Sequence, residues 1–359
     1  MNETALDKLF ALDHPPPMDA RSVRPGALNL ITDVPGLRVG QAEDSVVRTG
    51  VTVVAPTMRC VAACDVRGGG PGTRETDLLN PENLVEAIDA VCLSGGSVYG
   101  LGAADGVTAA LGAMGRGYPM GPGITPAPIV PGAILFDLAN GGDKDWGETP
   151  PYAELGKAAM KAAAPRFALG TYGAGYGAQA GALKGGVGSA SLVDEDGLAV
   201  GAVAAVNSMG SAVMPGSTAF WAWPFEIDGE FGGARPDPAL WVEPDDWGLA
   251  KRNPAARQNT TIAVIATNAA LTPAQAKRLA VMAQDGLARA LRPVHALYDG
   301  DVVFALSTGE RPLPEPWAFS LTVLGERAAN CLARAVARGV HAAESWPGGP
   351  RTWRDLARP

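Results

Sequence analysis

The segment RQNTTIAVIATNA, Arg257–Ala269, changes character at its centre. Arg257, Gln258 and Asn259 are polar, whereas β-branched and small apolar residues follow from Thr260, the composition of a buried strand. The paired threonines allow two readings. They are the first residues of that strand, or they mark a peptide bond placed to be cut. A threonine hydroxyl is a weak nucleophile at neutral pH. A freed α-amine on the same residue, with a pKa of roughly 7.7–8.0, can serve as its base. The dipeptide alone leaves both readings open.

Downstream of Asn268 the signals are clear. Thr272-Pro273-Ala274-Gln275 supplies an N-cap, a proline at the first helical position and a capping-box glutamine. The helix this opens is expected to reach about Leu291, with Leu279, Met282 and Leu287 on its apolar face. Asp301–Thr308 reads as the next strand and Phe319–Val340 as the last helix.

Upstream, SASLVDEDGLAVGAVAAVN reads as a hairpin about Asp196-Gly197 that ends at Asn207. Gly50–Thr57 and Cys60–Val66 look like paired strands. Ala90–Leu93 is a strand delivered into SGGSVYG and a helix over Leu101–Leu111. Pro131–Leu138 reads as a strand and Tyr152–Ala164 as a helix of small residues. From about Phe225 to Gln258 periodicity is lost, which predicts an exposed excursion. Up to Ala27 the Pro-rich, charged chain reads as an arm, disordered or wrapped on a neighbour. Hairpins mixed with helices predict α+β layering.

Composition narrows the function classes. At 359 residues and 47% hydrophobic content the chain can bury a large core. A net charge of -8 argues against a surface made for phosphate backbones or anionic lipid, so neither nucleic acid nor membrane is an expected partner. The N-terminus lacks a basic segment followed by an apolar one, and no stretch approaches the roughly 20 apolar residues of a spanning helix. Cys60, Cys64, Cys92 and Cys331 lie on apolar runs without CxxC spacing, which suits buried reduced thiols and a cytoplasmic protein. The 46 glycines, concentrated in clusters such as GAGYGAQAGALKGGVG, suggest close backbone approach around a site or simply loop chemistry.

Five blocks in order, SGGSVYGLGAADGV, VPGAILFDL, GAGYGAQAGALKGGVGSAS, GAVAAVNSMGS and the region from Asn259 through YDGDVVF, resemble the DmpA-type peptidase family. That family comprises L-aminopeptidase/D-esterases, β-peptidyl aminopeptidases and hydrolases of nylon (6-aminohexanoate) oligomers. The similarity covers most of the chain from about residue 28 onward. It implies a four-layer αββα sandwich, layered like the N-terminal nucleophile hydrolases but differently connected. It also implies self-cleavage between Asn259 and Thr260. The chain would then divide into the arm 1–27, an α chain 28–259 and a β chain 260–359, both chains within one domain. Tetramers of αβ units, linear amide or peptide substrates and the absence of any metal or organic cofactor follow from the same resemblance.

Residue by residue, the resemblance makes Thr260 the nucleophile, in the Asn-Thr-Thr context of the nylon-oligomer hydrolases. Lys184 matches the lysine those enzymes place near the nucleophile; by itself it reads as a surface lysine on a Gly-rich loop. Asn207 matches an oxyanion-holding asparagine, and otherwise turns the chain before Ser208. Asp299 and Asp301 match an acidic pair; two residues apart at a strand start, both carboxylates would meet Thr260. Asp-Gly-Asp is also an ordinary turn. Gly96 and Ser97, between a strand and a helix, are expected to wall the site or cup an oxyanion.

One departure stands out. Where relatives carry Ile-Tyr-Asp, this chain has Leu135-Phe136-Asp137, so a phenol is lost at Phe136 and Tyr99 or Tyr172 becomes the candidate to replace it. Phe136 and Asp137 are retained as substrate-side residues, with Asp137, Glu148 or the acidic pair as the group that would hold a substrate's free amine. The scattered His14, His295 and His341 form no metal or triad pattern, and His295 reads as structural. Ornithine acetyltransferases, which also self-cleave before a threonine, and an uncleaved binding protein are the alternatives.

Overall fold

A computed structural model describes residues 23–252 and 259–357. The arm before Val23 lies outside the described residues; Val23 and Arg24, placed in that arm by the sequence, instead pair with Val193 and Asp194 at a sheet edge.

Fourteen strands lie among the described residues. In chain order they are β1 (Val23–Arg24), β2 (Leu37–Asp44), β3 (Thr49–Pro56), β4 (Cys60–Val66), β5 (Thr73–Arg74), β6 (Ala87–Ile88) and β7 (Val91–Ser94). Then follow β8 (Gly132–Ile134), β9 (Gln179–Ala180), β10 (Leu183–Lys184), β11 (Gly186–Asp194), β12 (Ala199–Asn207), β13 (Thr260–Ala270) and β14 (Val302–Pro312). A seven-stranded sheet runs β1-β11-β12-β13-β14-β4-β6, a five-stranded sheet runs β2-β3-β7-β8-β5, and β9 and β10 form a small ribbon. The principal helices are α1 (Ala103–Ala113), α2 (Tyr152–Lys161), α3 (Pro273–Ala283), α4 (Asp285–Ala290) and α5 (Trp317–His341).

Three apolar cores define the layering. Val54, Leu93, Val203, Ile262, Val264 and Phe304 fill the space between the two sheets. Ile265, Leu279, Leu287, Leu324, Leu332 and Val336 join the larger sheet to α3, α4 and α5. Val51, Val53, Val107, Leu111 and Met160 join the smaller sheet to α1 and α2. Three such interfaces make four layers, αββα, as the resemblance implied. Among the described residues no helix is long and apolar enough to cross a membrane.

The expected pairing of Gly50–Thr57 with Cys60–Val66 is wrong. β3 lies between β2 and β7 in one sheet, while β4 lies between β14 and β6 in the other. Both strands are covered on both faces, so their apolar runs carry no alternation to say which sheet they join. The helix from Pro273 breaks at Gln284, and the one after SGGSVYG starts as a 3-10 turn over Ser97–Gly102. The helix expected to reach Ala164 stops at Lys161, because Ala164 pairs with Val39 through N–H···O bonds in both directions.

Some of the glycine excess serves helix packing rather than the site. A Cβ on Gly106 would stand 1.8 Å from the Ala153 carbonyl, and one on Gly188 1.9 Å from that of Ala335. Glycine therefore permits the close crossing of α1 on α2 and of α5 on β11.

Candidate active site

The order β12-β13-β14 brings the site together. β12 runs antiparallel to β13, so its last residue, Asn207, lies opposite the first residue of β13, Thr260. β14 runs parallel to β13, so the turn entering β14 arrives at the same sheet end with Asp299, Gly300 and Asp301. Thr260 is 4% exposed and Asn259 5%.

Around the Asn259–Thr260 peptide the polar groups are aimed inward. The Asn259 carbonyl accepts the Gly300 N–H at 3.0 Å and also the Thr260 hydroxyl. A Cβ on Gly300 would stand 2.6 Å from Thr260 Oγ1. Asp301 Oδ1 accepts the Thr261 N–H at 2.7 Å, and its Oδ2 accepts the His295 N–H at 3.2 Å and lies 2.9 Å from His295 Nδ1.

Asp299 departs from the expected geometry. Its carboxylate turns to the N–H groups of Ala296, at 2.9 Å, and Met209, at 3.2 Å. The same-face argument fails because Asp299 still lies in a turn, its own N–H bonded to Ala296, before β14 begins at Val302. Burial first, and the Asp301 charge second, push Asp299 from 3.8 to about 6. The folded protein therefore holds this proton over a range in which the unfolded chain has lost it. Asp299 lowers stability as pH rises from 3.8 to about 6, and that loss persists above. Asp299→Asn, made in an uncleaved Thr260→Ala background, should flatten part of that decline in a pH series of thermal midpoints. An unchanged slope would mean that Asp299 does not titrate in this window.

Asn207 donates Nδ2–H to the Phe136 carbonyl at 3.0 Å and accepts the Gln179 N–H on Oδ1 at 2.8 Å. Lys184 is fully buried, not on the surface. Its ammonium donates to the carbonyls of Gly185 at 2.7 Å, Ala178 at 3.0 Å and Gly175 at 3.1 Å, and lies 5.5 Å from the Trp346 ring centre. These partners belong to the Gly-rich segment and its cover, and none is Thr260. Burial pulls Lys184 down to about 7, opposed by the charge of Asp137.

Of Gly96 and Ser97, only Ser97 lines the cavity beside Thr260. The Gly96 N–H is bonded to Asp137 Oδ1 at 2.7 Å and the Ser97 N–H to the Leu135 carbonyl at 2.9 Å, so neither points at an oxyanion. Gly96 has φ +86°, which explains the glycine there. Asp137 also accepts the Thr49 hydroxyl at 2.6 Å, and burial pushes it up to about 6. It anchors the loop.

A cavity of about 360 Å³ opens beside Thr260, lined by Gly69, Gly70, Ser97, Ile134, Phe136, Asn259, Leu297 and Tyr298. That size suits a small linear ligand. The phenol in this cavity belongs to Tyr298. Tyr99 packs edge-on against Trp146, and Tyr172 lines a different cavity with Tyr176 and Trp346.

Sequence reasoning missed Gly300, Tyr298 and Lys251. The first two sit inside the quoted YDGD, where the carboxylates drew the attention. Lys251 lies in the aperiodic excursion and carried no signal. Its ammonium is 3.5 Å from the Asn207 carbonyl, and burial, opposed by Asp299, pulls it down to about 7.

Fold and family make this a hydrolase of amide bonds on a variant of the N-terminal-nucleophile hydrolase fold. The chain belongs to Peptidase family S58, which matches residues 29–352. An uncharacterized aminopeptidase of Mycobacterium tuberculosis (strain ATCC 25618 / H37Rv) is 46% identical over 92% of this chain and 98% of its own length. A 6-aminohexanoate-oligomer endohydrolase of Kocuria sp. (strain KY2) is 30% identical over 80% of this chain and 78% of its own. Among solved structures, the L-aminopeptidase D-Ala-esterase/amidase of Ochrobactrum anthropi superposes with a TM-score of 0.63 at 19% identity, covering 93% of each chain.

Proposed function

We propose that this protein is a self-processing N-terminal threonine amidohydrolase acting on linear amides. The observation that carries the reading is the Gly300 N–H, 3.0 Å from the carbonyl oxygen of the Asn259–Thr260 peptide, with the Thr260 hydroxyl beside the same group. In the precursor, Thr260 Oγ1 attacks the Asn259 carbonyl carbon. The negative charge that develops on the carbonyl oxygen meets a donor already in place. The C–N bond then breaks, freeing the Thr260 α-amine, which takes up the hydroxyl proton, and water hydrolyses the resulting ester to release the Asn259 carboxylate and restore the Thr260 hydroxyl.

In the processed enzyme that amine takes the hydroxyl proton as Thr260 attacks substrate, and passes it to the leaving nitrogen. Asp301, bonded to the adjacent Thr261 N–H, is positioned to hold the new amine. Asn207, opposite Thr260 in the sheet, supplies a neutral amide at the same strand end. The aminopeptidase and the 6-aminohexanoate-oligomer endohydrolase among the relatives support peptide and oligoamide substrates alike.

The test is covalent capture. Protein incubated with a p-nitrophenyl ester and quenched in acid should carry the acyl mass on the chain that begins at Thr260. Acylation of any other peptide, or none with turnover intact, would sink the nucleophile assignment.

A further inference from the structure

Asp301 meets the nucleophile's strand through one oxygen, Oδ1, which accepts the Thr261 N–H at 2.7 Å. Its other oxygen, Oδ2, faces His295, which the sequence reads as structural. His295 brings both its main-chain N–H, at 3.2 Å, and its ring Nδ1, at 2.9 Å, to that atom. A carboxylate only accepts, so Nδ1 is the ring nitrogen that carries the proton and donates. Asp301 is 1% exposed, and His295 stands at φ +54°, a left-handed conformation that few side chains tolerate. Such a conformation beside reacting atoms points to a role in the reaction.

Thr261, His295 and Asp301 all lie downstream of the scissile bond, so this contact does not span the cut. Cleavage does change the charges around it. It adds the Thr260 α-amine and, on the wall of the same cavity, the Asn259 carboxylate. The charges of Asp301 and His295 both act on Asp299, and that of Asp299 acts on Lys251. Asp301 therefore shares the new amine with two other carboxylates, and their tethers decide which one it faces. The Asp299 carboxylate is turned to the Ala296 and Met209 N–H groups. The Asn259 carboxylate belongs to a cut end, with no residue after it to fix its direction. Asp301 is held at both oxygens.

Resting on the Thr260 amidohydrolase reading, we infer that His295 is a positioning residue, whose ring clamps Oδ2 so that Oδ1 stays on the Thr261 N–H and the carboxylate faces the Thr260 amine. Without the ring, the carboxylate can turn about its own side-chain bonds, and the amine loses the group that fixes its direction towards the hydroxyl. Misplacement by about 1 Å in such a site can cost 10²-fold. His295 does not line the Thr260 cavity, so it reaches substrate only through Asp301, and its effect falls on kcat rather than KM.

His295→Gly and His295→Asn test it, since both residues accept a positive φ. Asparagine places an amide N–H near the position of the imidazole Nδ1, and glycine places nothing there. Each variant is assayed with p-nitrophenyl acetate, and rates are expressed per chain that begins at Thr260. His295→Gly should lose roughly ten- to a hundredfold in kcat, the worth of one charge-assisted hydrogen bond, with KM within about twofold of the wild type. His295→Asn should recover most of that loss. A role confined to folding would instead lower the thermal midpoint and the yield of processed chain, and leave kcat per processed chain unchanged. If His295→Gly folds but stays uncut, decay of the full-length band becomes the readout, with the same order expected. If it does not fold, His295→Asn decides alone: activity near the wild-type level is expected, and a loss as large as that predicted for glycine overturns the inference. Full activity in His295→Gly, or His295→Asn no faster than His295→Gly, also overturns it, while wild-type processing and turnover keep the Thr260 reading standing. Wild type that neither cuts itself nor takes an acyl group from the ester overturns both.

Discussion

Thr260→Ala protein is expected to run as one full-length chain under denaturing conditions, while the wild type resolves into two chains that separate between Asn259 and Thr260. The same variant should lose roughly 10⁴- to 10⁶-fold in amide hydrolysis, the range seen when a catalytic nucleophile is deleted. Loss of one hydroxyl would remove two functions, because in the proposed mechanism the hydroxyl that cuts the chain is also the one that later attacks substrate. Thr260→Ser separates this from a packing effect. It keeps the hydroxyl and drops a methyl at a site that is 4% exposed, so it should still process and turn over, more slowly. An alanine variant that is cut and active would end the mechanism. A wild type that stays whole after long incubation would leave the fold without the self-processing chemistry.

Much of the scaffold was legible because local signals were unambiguous. Thr272 and Gln275 cap α3 reciprocally, with Gln275 N–H to Thr272 Oγ1 at 3.3 Å and Thr272 N–H to Gln275 Oε1 at 2.9 Å, as their spacing predicts. Asp196-Gly197 turns the chain between β11 and β12, whose register pairs Gly186 with Val206 and Val193 with Ala199. Pairings between distant strands were less legible. β3 and β4 are adjacent in sequence and both buried throughout most of their length, yet they belong to opposite sheets, a choice that depends on β14, more than two hundred residues away.

The site shows the same division. Thr260, Asn207 and Asp301 were named from the sequence because the family motif contains them, and the strand order brings them to one sheet end. Asp299 was assigned a direction that only holds within a strand, and its residue lies one turn too early. Lys251 and Tyr298 line a cavity wall, a property of the folded surface with no periodic trace in the chain.

Gly300 yields the second large effect. Gly300→Ala is expected to slow self-cleavage by about 10²- to 10³-fold, comparable to the loss of an oxyanion donor. The new Cβ would stand 2.6 Å from Thr260 Oγ1 and 3.0 Å from the Gly70 carbonyl, so the nucleophile, the loop or both must move. Either movement spoils a geometry in which Oγ1 and the Gly300 N–H must address the same carbonyl at once, and misplacement by about 1 Å can cost 10²-fold. The stopped or slowed precursor is followed as the decay of the full-length band. Folding is checked separately by the thermal midpoint, because Gly300 is buried although the clash involves the site rather than the three apolar cores. Gly70→Ala serves as the comparison. Its Cβ would meet nothing closer than 3.7 Å, the Asp299 carbonyl, so it lines the same cavity without touching Oγ1 and should process at nearly the wild-type rate. Equal slowing by the two substitutions would assign the effect to the cavity lining in general. A fast Gly300→Ala precursor, which still carries the backbone N–H at position 300, would show that the added Cβ leaves Oγ1 and that donor aligned on the carbonyl and would overturn the expected effect.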